Sequence, residues 1–311
     1  MSTGSLGPFY SSGVTEPTPA RAPVTIRTLA SMRERGEVFA CLTCYDATTA
    51  RILERAGVHV LLVGDTAAQV ILGLERTIDM PLEVALALTA GVKRGAPNTC
   101  VMGDMPFMSY QASPDDAARN AGRFLTQGLA DVVKIEADRT LAPLVDRLTR
   151  MGVPICGHLG CKPQASAVTS GYRAAGRTAE EARQIVRDAR ELQDAGAVLL
   201  LLEAVPDEVT REVLGATSIP VIGIGAGPEC HGQVLVLQDL LGLTDDPPRF
   251  ALPVATLAPS IHDAAAEWVR RVGGRRIGGQ RYTMKPGEAA KLASPGSQTR
   301  PAPPGAGATD R

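Results

Sequence analysis

This chain of 311 residues has few aromatic residues, no large excess of either charge and no long apolar run. Phenylalanine, tryptophan and tyrosine make up 4% of the sequence, so we expect a mainly aliphatic core. Lysine and arginine (32) nearly balance aspartate and glutamate (33), which argues against a basic surface for nucleic acid or an acidic membrane. No apolar run approaches the roughly 20 residues of a membrane-spanning helix. We therefore expect neither nucleic acid nor a membrane as a partner.

The N-terminus lacks the charged and then apolar order of a secretory signal, so we expect a cytoplasmic protein. Six cysteines are too few for a disulfide scaffold. Cys41 and Cys44 have the spacing of a redox or zinc pair, but no second close pair completes a metal site. We expect reduced, buried thiols that pack as small apolar groups.

The two ends of the chain differ in composition from the middle. Residues 1–22 and 286–311 are rich in serine, glycine and proline, and they carry too little apolar area to offset the entropy of ordering. We predict a flexible N-terminal tail over 1–22, a barrel domain over 23–285 and a flexible C-terminal tail over 286–311.

Short aliphatic segments alternate with helical patterns in the middle of the chain, as in a parallel sheet covered on both faces. The segments are residues 39–43, 58–63, 99–103, 132–135, 154–157, 198–202, 220–223 and 234–237. Eight strands alternating with helices over about 230 residues predict an α/β fold, the (β/α)8 TIM barrel. A doubly wound open sheet is the alternative, but the first strand is not followed by its usual glycine-rich turn.

Capping residues mark several predicted helices. Asp46 is expected to cap the helix after the first strand. Ser113 and Pro114 have the order of an N-cap and a first helical residue. Thr178 and Glu181 have the spacing of a capping box.

Polar residues occur where the predicted strands end. In a (β/α)8 barrel all carboxyl ends of the strands face one mouth, which carries the active site. The residues placed there are Asp65 and Thr66 after strand two, Asp104 after strand three, Lys134 and Glu136 at strand four, His158 at strand five, Glu203 after strand six, and the glycine-rich GIGAG after strand seven. GIGAG is a candidate anion or substrate cradle, but it does not match the dinucleotide-binding fingerprint.

Each of these residues also has a structural interpretation. Asp65 and Asp104 could cap loops, and Lys134 could form an ion pair with Glu136. His158 could be a buried histidine with satisfied hydrogen bonds. A set of acids, a lysine and a histidine at one rim nevertheless favours a functional site.

Two carboxylates on neighbouring strand ends, with few other ligands, suit Mg²⁺, which prefers oxygen ligands and keeps several waters. A metal with open positions chelates a 2-oxo acid and acidifies the adjacent C–H by stabilising the enolate oxygen. Lys134 would add positive charge, while Glu203 and His158 could move protons. The residues alone therefore predict metal-assisted enolisation of a small keto acid.

Several sequence blocks, in order, resemble one enzyme family. They include LLVGDTAAQVILG, VKRGAPNTCVMGDMPFMSY, VVKIEAD, PICGHLGCKPQ, GYRAAGR, LLLLEAVP and IPVIGIGAG. These blocks resemble the ketopantoate hydroxymethyltransferase family from about Val24 to Leu243. The resemblance implies a (β/α)8 barrel with Mg²⁺ that acts on 3-methyl-2-oxobutanoate and 5,10-methylenetetrahydrofolate in the first committed step of pantothenate biosynthesis. It also implies a homo-oligomer, typically a decamer.

The resemblance further implies metal and substrate ligands. Asp65 and Asp104 match the metal-binding aspartates, and Glu136 matches an acid that reaches the metal through water. Thr66 and Lys134 match substrate-binding positions, and Asp65 and Asp104 contribute to that binding.

The resemblance also implies catalytic residues. Glu203 matches the glutamate that accepts the proton, and His158 matches a histidine close to the substrate. The sequence departs from the family where Thr66-Ala67-Ala68 replaces the usual Ser-Leu-Gly, which we expect to stiffen this loop and to narrow the site.

Two other functions stay open. One is a lyase of the phosphoenolpyruvate-mutase and isocitrate-lyase type on a small 2-oxo acid, for which Cys161 would be the nearest candidate for a catalytic cysteine. The other is a non-catalytic, metabolite-binding relative, supported only by the altered DTAAQ sequence.

Overall fold

The computed structural model describes residues 22–293 of the chain. Within this range eight parallel strands close into a barrel in chain order, and the last strand pairs with the first. The strands are β1 Phe39–Thr43, β2 Val60–Val63, β3 Cys100–Asp104, β4 Val132–Glu136, β5 Ile155–Gly160, β6 Leu199–Glu203, β7 Val221–Ile224 and β8 Gly232–Leu235. The predicted (β/α)8 TIM barrel is confirmed.

Several strands extend further towards the mouth than their apolar pattern indicated. In β4 and β5 the backbones stay paired up to Glu136 opposite His158, and in β6 Glu203 lies opposite Gly160. The apolar pattern ends earlier because the polar side chains are already part of the site. At β8 the strand begins at Gly232, before the predicted apolar segment, and a Cβ at this position would overlap the ring of Phe39.

Helices follow most of the strands. In chain order they are α1 Ile26–Glu34, α2 Ala47–Arg55, α3 Ala67–Val70, α4 Leu82–Gly95, α5 Pro114–Thr126, α6 Ala142–Arg150, α7 Ser166–Thr169, α8 Ala179–Asp194, α9 Asp207–Ala216, α10 Leu237–Leu240, α11 Leu257–Gly273 and α12 Glu288–Ala293. The connection from β7 to β8, residues 225–231, contains no helix.

The predicted caps are confirmed. The Asp46 carboxylate accepts hydrogen bonds from the backbone N–H groups of the first turn of α2, and the Ser113 hydroxyl accepts one in α5. Thr178 and Glu181 form the capping box of α8. These caps fix where the helices start after their strands, and so they help to fix the loops that surround the mouth.

The core has two parts. A larger cluster of buried aliphatic side chains fills the space between the barrel and its outer helices. A second cluster fills the barrel interior, where Leu29 and Met32 of α1 pack with Phe39, Cys41 and Val60 from the amino-terminal ends of the strands. Because α1 covers that end, the accessible opening lies at the carboxyl ends.

The chain divides into two compact units, Met1–Ala258 and Pro259–Arg311. The second unit contains most of α11 and, within the predicted C-terminal tail, α12. The rest of the predicted tails, residues 1–21 and 294–311, lies outside the described residues. None of the helices within residues 22–293 is both long enough and apolar enough to cross a membrane.

Candidate active site

The charged residues at the carboxyl ends of the strands continue the inward-facing series of side chains. Successive side chains in a strand point to opposite faces, so residues two apart face the same way. Interior core residues are therefore followed two positions later by residues that face the mouth. The interior residues Met102, Val132, Cys156 and Leu201 are followed in this way by Asp104, Lys134, His158 and Glu203.

A buried ion pair joins β3 and β4 at the floor of the mouth. Lys134 Nζ lies 2.8 Å from Asp104 Oδ2, and the two side chains are 6% and 1% exposed. The pair forms because these residues are direct neighbours in the strand register. Asp65, after β2, donates its backbone N–H to the same Asp104 oxygen at 3.1 Å. The two aspartates and the lysine predicted from the sequence therefore lie together.

Electrostatics at this floor favour a charged lysine. Burial alone would lower the pKa of Lys134, but the nearby carboxylates of Asp104, Asp65 and Glu136 outweigh burial and raise it. Burial also raises the pKa of Asp104, a shift that Lys134 opposes and Asp65 reinforces. The side chain of Lys134 is therefore positively charged at neutral pH and lies among these three acids.

Glu136 is held by a residue of the loop after β5. The backbone N–H of Gln164 donates to both carboxylate oxygens of Glu136, at 3.0 and 3.1 Å. Burial raises the pKa of Glu136 to about 8, although Lys134 and the hydrogen bonds from Gln164 oppose the shift. Glu136 is therefore fixed in position and costly to ionise without a further positive charge.

The side chain of Gln164 connects three elements of the mouth. Its Nε2 donates to Asp65 Oδ2 at 3.2 Å and to the backbone carbonyl of Met105 at 3.0 Å. Its Oε1 accepts from the hydroxyl of Tyr110 at 2.9 Å and from Gln111 Nε2 at 3.1 Å. Because Gln164 is 5% exposed, this network is shielded from water and fixes one oxygen of Asp65.

His158 lies between the acids of β4 and β6. Its Nδ1 is 3.4 Å from Lys134 Nζ and 4.0 Å from Glu136 Oε1, and its Nε2 is 3.4 Å from Glu203 Oε2. This last contact is not aligned as a hydrogen bond, and Nε2 is left without a partner in the described residues. Burial, followed by the charge of Lys134, lowers the pKa of His158, so the ring is neutral at pH 7.

Glu203 is more accessible than Asp65, Asp104 and Glu136. Its side chain is 23% exposed, and it lines a cavity of about 720 Å³ at the mouth of the barrel together with Asp65, Thr66, Asp104 and Lys134. Every residue predicted as catalytic, substrate-binding or metal-binding lines this one cavity, since Glu136 and His158 do so as well. The glycines of GIGAG are covered in part, because the ring of Phe250 packs against Gly225.

The Thr66-Ala67-Ala68 departure is accommodated without strain. Thr66 has right-handed helical angles (φ −53°, ψ −20°), and α3 starts at Ala67. Ala67 and Ala68 are fully buried. Alanine favours this helical geometry, so the position does not require the usual glycine. The Thr66 hydroxyl does not cap the helix and stays available to the cavity.

Comparison with known proteins provides evidence that is independent of this geometry. A family model described as ketopantoate hydroxymethyltransferase matches residues 23–278. The chain belongs to this family. The 3-methyl-2-oxobutanoate hydroxymethyltransferase of Chlorobaculum tepidum is 45% identical over 254 residues, which cover 80% of this chain and 92% of that protein. The protein of the same name from Hyperthermus butylicus is 43% identical over 274 residues, covering 88% and 95%.

Among solved structures, phosphoenolpyruvate phosphomutase from Streptomyces platensis subsp. rosaceus shares the fold of this ketopantoate hydroxymethyltransferase family member. The TM-score is 0.56 at 12% sequence identity, covering 81% of this chain and 89% of that chain. The similarity concerns the fold alone.

The residues present fit a divalent cation in this member of the ketopantoate hydroxymethyltransferase family. Asp104 Oδ1 is buried without a hydrogen-bond partner in the described residues, and it belongs to a carboxylate beside Asp65. Within residues 22–293 no group of three or more His, Cys, Asp or Glu side chains has the geometry of a metal site. Mg²⁺ commonly uses one or two protein carboxylates and completes its shell with water and substrate, so a pair of aspartates is enough.

Sequence reasoning missed Gln164 and Tyr110. Neither is charged, and neither lies at a strand end, since Tyr110 is in a loop and Gln164 is in a short 3-10 helix, Pro163–Ala165. The signal that could have found Gln164 is its place in the block PICGHLGCKPQ, four residues after the last residue of β5.

The cysteines behave as predicted. All six are free and buried. Burial, reinforced by the charge of Glu203, raises the pKa of the Cys161 thiol to about 11. A thiol with such a pKa is protonated at neutral pH, which disfavours the nucleophilic role considered for it.

Proposed function

We propose that this enzyme transfers a hydroxymethyl group from 5,10-methylenetetrahydrofolate to 3-methyl-2-oxobutanoate, giving 2-dehydropantoate (ketopantoate) through Mg²⁺-assisted enolisation. Family membership supports the reaction. The observation that carries the mechanism is the buried Lys134–Asp104 pair with Asp65, which lines the same cavity as the accessible Glu203.

The keto acid needs positive charge at its carboxylate and its keto oxygen. Lys134 supplies one fixed cation, and the Thr66 hydroxyl is a hydrogen-bond donor that lines the same cavity. We assign Asp65 and Asp104 as the residues that hold Mg²⁺, with Glu136 as a partner through water. When bound, the metal polarises the keto group and lowers the pKa of the neighbouring C–H.

Proton removal is assigned to Glu203. It is the most accessible of the acids at the ends of β2 to β6, and among the described residues no backbone N–H donates to its carboxylate, in contrast to that of Glu136. The neutral ring of His158, 3.4 Å away, can accept a hydrogen bond or pass a proton without adding a competing positive charge. Water hydrolyses the methylene bridge of the folate, which breaks both of its C–N bonds and gives formaldehyde and tetrahydrofolate. The enolate carbon then adds to the formaldehyde carbon, and protonation of the resulting alkoxide gives the hydroxymethyl product.

Exchange of the C3 hydrogen of 3-methyl-2-oxobutanoate with D2O, followed by NMR, tests this function. Wild-type enzyme should catalyse exchange with Mg²⁺ and lose it with EDTA, and product should form only when methylenetetrahydrofolate is added. Asp104→Ala should abolish exchange. A matched control is Asp146→Ala, which removes an aspartate that pairs with Arg150 on the exposed side of α6.

Two results would contradict the proposal. Exchange at the wild-type rate by Asp104→Ala would remove the basis for the metal assignment. Cleavage of a 2-oxo acid without any folate would favour the lyase alternative.

The proposed assembly rests on the family resemblance alone, and the proposed location is the expectation stated in the sequence analysis. We propose a homo-oligomer, with a decamer as the specific expectation, that works in the cytoplasm. Light scattering coupled to size-exclusion chromatography tests the oligomer, and fractionation of the producing cells tests the location.

A further inference from the structure

The cavity at the barrel mouth has two chemically different walls. The acids predicted from the sequence, with Lys134 and His158, belong to β2 through β6. Ile224 of β7, Val234 of β8 and Val236 after β8 form an apolar wall, beside polar lining residues that include Thr43, Asp246 and Arg249. A volume of about 720 Å³ far exceeds the needs of a small keto acid, since one water molecule occupies roughly 30 Å³ in the liquid. The apolar wall is therefore available to a second, larger molecule.

One buried carboxylate lines the cavity beside this apolar wall. Asp239, in α10 directly after β8, is 6% exposed. Among the described residues its carboxylate accepts no hydrogen bond and forms no ion pair. A carboxylate oxygen that had neither solvent contact nor a hydrogen-bond partner would be an orphaned buried atom, and neither oxygen of Asp239 is one. The small exposed fraction of Asp239 therefore includes its carboxylate.

The position of Asp239 is fixed by the barrel. The Thr43 hydroxyl, at the end of β1, accepts the backbone N–H of Leu237 at 2.9 Å and so anchors the start of α10. The backbone carbonyl of Asp239 accepts the N–H of Gly242 at 3.1 Å. The backbone of Asp239 is thus held in place, while its carboxylate oxygens have no donor among the described residues.

When a ligand displaces water from this carboxylate, leaving its oxygens without donors is costly, and a ligand that brings two parallel N–H groups avoids that cost. The pterin ring of a reduced folate carries such a pair, the 2-amino group and N3–H, on the edge of a flat ring whose faces suit apolar contacts. We propose that Asp239 binds this edge of the pterin, with the ring lying against Ile224 and Val236. This assignment rests on the proposed function, because it takes its ligand from the one-carbon donor.

Direct binding of tetrahydrofolate to the full-length enzyme, measured by anaerobic calorimetry without keto acid, tests the assignment. The probe is compared with a 2-desamino-2-methyl analogue, which lacks one donor of the pair. Wild type should prefer tetrahydrofolate by roughly 10- to 100-fold, because the analogue leaves a buried acceptor unpaired. In Asp239→Asn, which keeps the shape but changes one acceptor to a donor, the preference should fall to within about threefold.

A matched control is Asp245→Asn, which makes the same change at an exposed residue outside the cavity lining and should keep the preference. Full preference in Asp239→Asn would overturn the assignment. If that variant fails to fold, the wild-type comparison still decides, since equal binding of both probes would also overturn it.

Failure of the proposed function gives a different result. If wild type binds neither probe and forms no product, the folate-dependent function and the Asp239 assignment fall together. If wild type binds tetrahydrofolate and forms product but shows no preference between the probes, the assignment alone is wrong.

Discussion

Lys134 Nζ lies 2.8 Å from Asp104 Oδ2, and both side chains are almost completely buried at the floor of the cavity. Removing two charges from water costs several kcal/mol per ion, and well-packed apolar residues often replace such a pair without loss of stability. Asp104 also leaves its second oxygen, Oδ1, without a partner in the described residues. An ion pair of this kind contributes little to the stability of the fold. A role in binding or catalysis explains its presence better.

Lys134→Met should separate the structural role of this pair from the catalytic one. Without Lys134, the Asp104 carboxylate is buried without compensation, and the metal-free protein should lose roughly 3 to 5 kcal/mol of unfolding free energy. The double variant Lys134→Met, Asp104→Asn should recover at least half of that loss, yet remain inactive. Urea unfolding in EDTA and a turnover assay provide the two measurements. A Lys134→Met variant with near wild-type turnover would show that the lysine does not bind substrate.

Glu203→Gln should remove the proton acceptor while keeping the shape of the cavity. We expect C3 exchange into D2O to slow by roughly 10²- to 10⁴-fold, the usual contribution of a general base. Binding of the keto acid, followed by calorimetry with Mg²⁺, should persist because Lys134 and Asp104 are unchanged.

The matched control for this change is Glu229→Gln, on the surface, where Glu229 pairs with Arg211. It should exchange at the wild-type rate. If Glu203→Gln also exchanges normally, the proton acceptor is another residue, and His158 becomes the next candidate because it lies 3.4 Å from Glu203.

Gln164→Ala should weaken metal binding although Gln164 is not assigned as a ligand. Its side chain donates to Asp65 at 3.2 Å and accepts from Tyr110 at 2.9 Å, so its removal frees Asp65 to rotate. Loss of such a supporting hydrogen bond typically costs 10- to 100-fold in metal affinity or activity. Mn²⁺ titration followed by electron paramagnetic resonance measures the affinity without turnover.

Gln127→Ala is the control for this change, since within residues 22–293 the hydrogen bonds of Gln127 go to Arg123 at the end of α5. It should bind Mn²⁺ like wild type. Unchanged affinity in Gln164→Ala would mean that the β2 and β3 strands alone hold the aspartates in position.

The fold and most of the charged site could be predicted because both depend on short-range patterns. An apolar segment followed by a charge marks a strand that reaches the mouth, as at Asp104 and Glu203. The caps at Asp46 and Ser113 are local in the same way.

Other features depend on contacts that the sequence does not mark. Gln164 meets Asp65 across 99 positions of the chain, and an uncharged loop residue gives no pattern of its own. Asp239 is of interest because its carboxylate has no hydrogen-bond donor among the described residues, and a sequence does not show which contacts a side chain lacks. Gly232, the first residue of β8, pairs with Phe39 of β1, and the Phe39 ring occupies the space that a Cβ would need.

The buried Glu136 should make the stability of the metal-free protein depend on pH. Its pKa is raised to about 8, mainly by burial, from 4.5 in a solvated glutamate. The folded state therefore binds this proton more tightly than the unfolded state, and the resulting stabilisation is complete below pH 4.5 and lost as the pH rises through 8. Glu136→Gln cannot ionise, so wild type should lose stability relative to this variant between about pH 5 and pH 8.

Thermal unfolding in EDTA across this pH range measures the difference between wild type and Glu136→Gln. The melting temperature of wild type should fall relative to the variant by several degrees as the pH rises, because burying an unneutralised carboxylate opposes folding. Glu180→Gln, at an exposed position of α8, should show a difference from wild type that does not change with pH. A constant difference for Glu136→Gln as well would mean that Lys134 and the two hydrogen bonds from Gln164 fully compensate the charge. Glu136 would then be ionised in the metal-free protein.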